Sequence, residues 1–300
     1  MSIRALRLKT GDTIGIIAPA GPVSQSEIHS TIEKLIDRGY EVLTSPSLYQ
    51  REDYLAGSDD ARVSDLHLMF RDNSVKAILC ARGGYGTLRI IEKIDYALIR
   101  RNPKIFIGFS DITAILFAIY KETGLVTFHG PMAKGLAARG ERNLDNLLKV
   151  LSSEGPIELS LANGTSIKKG KAKGRLFGGN LSLISSLVGT GFLPPLDGEI
   201  LFIEERGEPL YRIDRMLTHL RLSGLLGGVA GLIIGEFKDC DDTASLVRLL
   251  KDRTSDLDFP ILSGLPVGHG IENITLPIGL SVEINTETMM IHIPNPVISK

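Results

Sequence analysis

Four times within the first 120 residues, a short run of β-branched and aromatic residues gives way to apolar residues at helical spacing. DTIGIIAPAG, Tyr40–Leu43, Val75–Cys80 (VKAILC) and Ile105–Phe109 have the composition of buried strands. Ile28, Ile32, Leu35 and Ile36 form one helical stripe, and Val63, Leu66 and Phe70 form another. TLRIIEKI reads as a shorter helix, and Ile112, Ile115, Leu116 and Ile119 complete the series. Ser24 and Glu27 stand at capping-box spacing before the first helix. Strands that alternate with helices join through right-handed crossovers and so make a parallel sheet. Ligands bind such sheets beyond the C-terminal strand ends. Here those ends carry APAG, ARGGYG and GFSD.

The pattern changes after residue 150. EGPIELSLANGTSIKKGKAKGRLFGGN is rich in Gly, Ser and Lys and lacks a helical stripe. Further on, strands are expected at Gly174–Phe177, Glu199–Ile203, Gly231–Gly235, Ser281–Ile284 and Met290–Ile293. Helices are expected near Leu181–Val188, Arg212–Leu222 and Thr243–Arg253. This divides the chain into domains at 1–155 and 170–300, with a linker at 156–169. Three hundred residues are ample for two cores. A net charge of −1 excludes the basic field that nucleic acids or anionic membranes attract. No apolar run reaches the length of a membrane span. The apolar segment near the N-terminus, Ile14–Ile17, is too short for a secretory leader, which points to the cytoplasm. The two cysteines, Cys80 and Cys240, have no metal-ligand spacing, and neither a metal nor a cofactor is implied.

Ser110 sits between the fourth strand and its helix, in GFSD. A hydroxyl there is presented on a sharp turn, close to helix N-terminal N–H groups that favour an oxyanion. This is the logic of the nucleophile elbow, although Ile112 stands where G-x-S-x-G has its second glycine. The competing role is a helix cap. A serine nucleophile needs a base and a group that orients it. His29, His67, His219 and His292 lie in helices or a strand and suit structural or solvent roles. His269 in GLPVGHG is flanked by glycines on a loop and is favoured as the base, with His129 in TFHGPM as a wall of the pocket. The strand EILFIEERGEP ends in Glu204 and Glu205, of which alternation lets one face a site. The Arg82–Gly86 loop lacks G-x-G-x-x-G spacing, which argues against a dinucleotide. Its bare N–H groups, together with that of Asp111, suit an oxyanion hole. Cys80 reads as a buried strand residue.

In this order, IAPAGP, ARGGYG, GFSD, TFHGPM, GRLFGGNLSL, the IEERGEPLYRIDRML block and GLPVGHG resemble the LD-carboxypeptidase family of serine peptidases. The resemblance runs from Gly11 to Gly279. It implies an α/β fold: an N-terminal flavodoxin-like parallel sheet with helices on both faces, plus a smaller β-rich C-terminal α/β domain. It also implies a triad of Ser110, Glu204 and His269, with oxyanion donors at the N–H groups of Gly84 and Asp111. The family's substrate is a cytoplasmic murein tetrapeptide, cut to tripeptide and D-alanine in cell-wall recycling, and relatives suggest a homodimer. Arg82, Tyr85, His129 and Arg206 are candidate substrate contacts, with Arg212 a further arginine of the same kind. Some family members instead cleave aminoacyl-nucleotides of the microcin C type and stack the base on a loop tryptophan, whereas this chain has no tryptophan. A non-catalytic small-molecule binding protein would need neither Ser110 nor His269.

Overall fold

Thr13–Ile17 (β1), Glu41–Thr44 (β2), Val75–Cys80 (β3), Ile105–Gly108 (β4) and Thr127–His129 (β5) lie side by side in the order β2-β1-β3-β4-β5. Every neighbouring pair among them is parallel, which is the flavodoxin-like order. A sixth strand, Leu276–Ile278, pairs antiparallel with β5 at the edge. The computed structural model describes residues 2–137, 140–161 and 164–299. The chain divides into two units: Met1–Glu154 with Ile274–Gly279 and Pro296–Lys300, and Gly155–Asn273 with Leu280–Asn295.

In the first unit β3 and β4 are buried almost throughout, as central parallel strands must be. Phe70 stacks on Phe106 at 6.0 Å between ring centroids. The helix Thr113–Thr123, which follows β4, is buried nearly all round. Such a helix belongs to the core, so the turn that leads into it is held at both ends. TLRIIEKI differs from expectation: it forms two 3-10 turns, Thr87–Arg89 and Ile91–Lys93, before a helix at Tyr96–Arg101. Thr87 is tied to Asp111 by two hydrogen bonds, and Asp95 caps the helix that follows.

The second unit holds an eight-stranded sheet. Its centre is parallel: Lys171–Asn180, Ile200–Arg206, Gly231–Lys238 and Ile261–Ser263. Ser281–Asn285 and Met290–Ile293 extend it antiparallel on one side. The segment 156–169, expected as a linker, instead supplies both edge strands, Ile157–Ser160 and Thr165–Lys168. Alternating burial along Ile157–Ser160 shows why it pairs: one face of a short strand is covered. The expected second domain, 170–300, loses 274–279 and 296–300 to the first unit. Among the described residues no helix is long and apolar enough to cross a membrane.

Candidate active site

Two clusters of the expected residues form, one within each unit. In the first unit the chain leaves β4 through an extended Phe109 and enters Ser110 with a backbone φ of +62°. A left-handed serine costs about 1–3 kcal/mol, and such strain collects at functional turns. A 3-10 turn at Ser110–Ile112 precedes the helix at Thr113, so the positions that cap these two elements are Phe109 and Ile112. The backbone here makes a strained strand-to-helix turn, the form that a nucleophile elbow also takes.

The Arg82–Gly86 loop lies against this turn. A Cβ added at Gly83 would stand 3.0 Å from Ser110 Oγ and 3.4 Å from the Asp111 nitrogen. Only glycine lets the loop approach the hydroxyl this closely without crowding it. Gly84, the expected oxyanion donor, follows in the same loop with φ +117°. Among the described residues, no acceptor takes the N–H of Gly84 or of Asp111. Gly83 is a close-approach position that the motif alone did not single out; its signal was the doubled glycine.

Three residues, Gly21, Thr87 and Arg62, tie this loop down. Gly21 N–H donates to the Gly83 carbonyl at 3.0 Å. Thr87 N–H donates to the Asp111 carboxylate at 3.0 Å, and Thr87 Oγ1 donates to the Asp111 carbonyl at 2.6 Å. Arg62, 1% exposed, donates to the carbonyls of Pro19 at 2.7 Å and Gly86 at 3.0 Å and pairs with Asp59. One guanidinium thus joins the loops after β1 and β3. Burial lowers the Arg62 pKa, opposed by Asp59, and burial raises that of Asp111, opposed by the Thr87 bonds. Sequence reading missed Arg62, because in DDARVSDLHLMFR it looks like a surface charge on a helix.

Arg82 donates to the Pro22 carbonyl at 3.1 Å, and Tyr85 is half exposed with its ring edge on Tyr54. His129 is buried at the end of β5, its ring 5.7 Å from that of Phe109. That placement makes it a wall behind the serine turn. Cys80 is fully buried, and burial pushes its thiol pKa well up, which suits a strand residue rather than a nucleophile.

In the second unit Glu204 stands near the end of Ile200–Arg206, fully buried, and its Oε2 lies 2.7 Å from His269 Nδ1. Gly268 has φ +125°, and a Cβ there would lie 2.8 Å from that same Glu204 oxygen. The glycine before the histidine therefore makes room for the carboxylate. The Gly268 N–H donates to Asn273 Oδ1 at 2.9 Å, which holds the loop. Burial raises the Glu204 pKa, and the bond to His269 opposes it. A carboxylate on Nδ1 favours the tautomer with its proton on that nitrogen, the one a general-base histidine uses.

Glu205 turns the other way. Its carboxylate accepts from Asn180 Nδ2, from Arg206 N, and from both the N–H and hydroxyl of Ser182 in the first turn of Leu181–Leu187. It is a structural acid at a helix start. Arg206 pairs with Asp239, and Arg212 pairs with Glu208, both on exposed surface. His29, His219 and His292 meet surface partners, while His67 accepts from the Asp95 N–H. Among the described residues, no group of three or more His, Cys, Asp or Glu is arranged to hold a metal ion.

A serine on a strained turn beside open N–H groups, and an imidazole oriented by a buried carboxylate, are the parts that acyl transfer requires. Comparison with known proteins leads the same way. The profile of the LD-carboxypeptidase N-terminal domain matches residues 14–130, and that of the LD-carboxypeptidase C-terminal domain matches residues 173–284. A probable murein peptide carboxypeptidase of Bacillus subtilis (strain 168) is 42% identical over 290 residues, spanning 93% of this chain and 90% of that protein. The crystal structure of an MccF-like protein from Bacillus anthracis str. Ames superposes with a TM-score of 0.91 at 32% identity, covering 98% of this chain and 100% of that one. That of a muramoyltetrapeptide carboxypeptidase from Oxalobacter formigenes does so with a TM-score of 0.84 at 30% identity, covering 93% and 97%.

Proposed function

Since the chain belongs to the LD-carboxypeptidase family of serine-type carboxypeptidases, we propose that it hydrolyses the L,D-peptide bond of a murein tetrapeptide and releases C-terminal D-alanine. Ser110 is the nucleophile, His269 the base and Glu204 the group that orients it. His269 Nε2 takes the Ser110 proton as Oγ attacks the carbonyl carbon. The N–H groups of Gly84 and Asp111 stabilise the oxyanion. The imidazolium then protonates the departing amine, leaving an acyl-enzyme. Water, deprotonated by the same imidazole, attacks the ester and frees the tripeptide and the serine.

The observation that carries this reading is the left-handed Ser110 at the C-terminal end of a central parallel strand. It is supported by the buried Glu204–His269 pair. The same reading puts the enzyme in the cytoplasm, in cell-wall recycling, and makes it a homodimer; the support for those three is the family resemblance. A second substrate, an aminoacyl-nucleotide of the microcin C type, is favoured by the likeness to the MccF-like structure. The absence of tryptophan weighs against it.

The test follows D-alanine release from an L,D-tetrapeptide by wild type, Ser110→Ala, His269→Ala and the double variant. Each single change is expected to lower kcat by about 10⁴-fold or more, and the double change to cost no more than the worse single, since the residues act as a unit. A Ser110→Ala protein that keeps its activity would sink the proposal. Wild type that ignores the tetrapeptide yet cleaves aminoacyl-sulfamoyl adenosine would move the substrate to the second class.

A further inference from the structure

An exopeptidase must recognise the free carboxylate at the end of its substrate. That group lies one residue beyond the scissile bond, about 3.8 Å from Cα to Cα. Its receptor therefore belongs within a side chain's reach of the nucleophile. Arg206 and Arg212 already have carboxylate partners on exposed surface. Arg82 differs from both. It directly precedes Gly83, whose Cα faces Ser110, and among the described residues its one side-chain acceptor is the neutral Pro22 carbonyl. Its side chain lines a cavity of about 690 Å³ with Gly21, Gly84, Tyr85, Tyr54 and Arg51.

Arg51 also has no carboxylate partner among the described residues. Asp53 lines the same cavity, so two guanidiniums face one carboxylate and the cavity is net positive. Its aromatic side is built rather than loose. Tyr54 sits on a tight turn closed by reciprocal Glu52 and Leu55 backbone bonds of 2.9 Å, and its ring meets that of Tyr85 edge-on at 5.7 Å. The two rings are 60% and 50% exposed, so apolar surface is held open to a ligand.

We propose that this cavity is the subsite for the substrate's terminal carboxylate, bound by Arg82 and Arg51 and walled by Tyr85 and Tyr54. The inference rests on the carboxypeptidase reading and assigns a specificity site within it. Charge-assisted bonds from a guanidinium fork to a carboxylate supply both strength and direction.

The experiment compares kcat/KM for an L,D-tetrapeptide with that for its C-terminal amide, in wild type, Arg51→Gln, Arg82→Gln and Arg82→Lys. Wild type is expected to favour the acid at least about tenfold. Each Gln variant is expected to lose about ten- to hundredfold on the acid while the amide changes less than about twofold. Arg82→Lys keeps part of the preference, and exposed Arg51→Gln guards against a folding defect. An acid-to-amide ratio unchanged in both Gln variants overturns the subsite, as does wild type that cleaves acid and amide equally. Wild type that cleaves neither removes the carboxypeptidase reading and this inference with it.

Discussion

Glu204 and Glu205 are consecutive and both buried, yet the strand sends them to opposite faces, where they meet different partners. Glu204 faces an imidazole, and Glu205 accepts four hydrogen bonds at the start of a helix. Their isosteric amides should therefore separate activity from stability. Glu204→Gln is expected to lower kcat by about 10⁴-fold through the wrong histidine tautomer. Glu205→Gln is expected to keep kcat near wild type and lose about 1–3 kcal/mol in denaturant unfolding. Glu204 also has a pH consequence. Its folded pKa is raised, so its contribution to stability is complete below the ordinary glutamate value of 4.5 and declines as pH rises through the folded pKa. Glu204→Gln lacks that decline. The stability of the variant relative to wild type should thus improve as pH rises above 4.5; a difference independent of pH would count against a buried, ionising Glu204. Alternation in the sequence showed that one of the two acids could face a site. It carried no information on which, because that depends on Asn180, Ser182 and His269, all distant in sequence.

At the scale of elements, the loops after β1 and β3 are held by a helix, Asp59–Arg71, that touches no substrate in any proposed step. Arg62 on that helix reaches both Pro19 and Gly86 carbonyls. Replacing it by Met leaves two buried carbonyls without their donor, while Asp59 keeps its pairing with Arg89. The expected cost is about 1–3 kcal/mol for each buried carbonyl left unsatisfied. Because the Gly83–Gly84 loop then loosens beside Ser110, kcat should fall more than KM rises in whatever fraction remains folded. Native kcat in Arg62→Met would show that the loop is held by Thr87–Asp111 and Gly21 alone. The central strands were legible in sequence, since apolar runs of four to six residues bounded by Gly and Pro have few other readings. The edges were not. Ile157–Ser160, Thr165–Lys168, Ile261–Ser263 and Leu276–Ile278 run only three or four residues. Two alternations are too few to show a period, and their pairing partners lie far along the chain.

At the scale of the whole molecule, the chain leaves the first unit at Glu154, builds the second, and returns twice. The first return places Leu276–Ile278 against β5, with Leu276 and Ile278 fully buried. It also brings Thr275 N–H to Asn146 Oδ1 at 2.7 Å and Gly279 to the Tyr120 ring. The second return buries Val297 and Ile298, gives the Pro296 carbonyl to Arg4, and closes Ser299 against Ala5 and Arg7. A boundary at residue 155, natural from composition, cuts the first unit away from all of these. A fragment of residues 1–154 would bare β5 as an open sheet edge, a template for association, and would also lose the burial of four apolar side chains. At about 1.5–3 kcal/mol for each side chain, that loss is comparable to the whole stability of a typical domain. The fragment is therefore expected to lack a cooperative thermal transition or to aggregate. The same fragment extended by a flexible linker and residues 274–279 should regain part of its native near-ultraviolet circular dichroism. A bare 1–154 fragment that melts cooperatively near the wild-type temperature would show that the returning segments decorate a fold already complete, and that the break in composition marks its true edge.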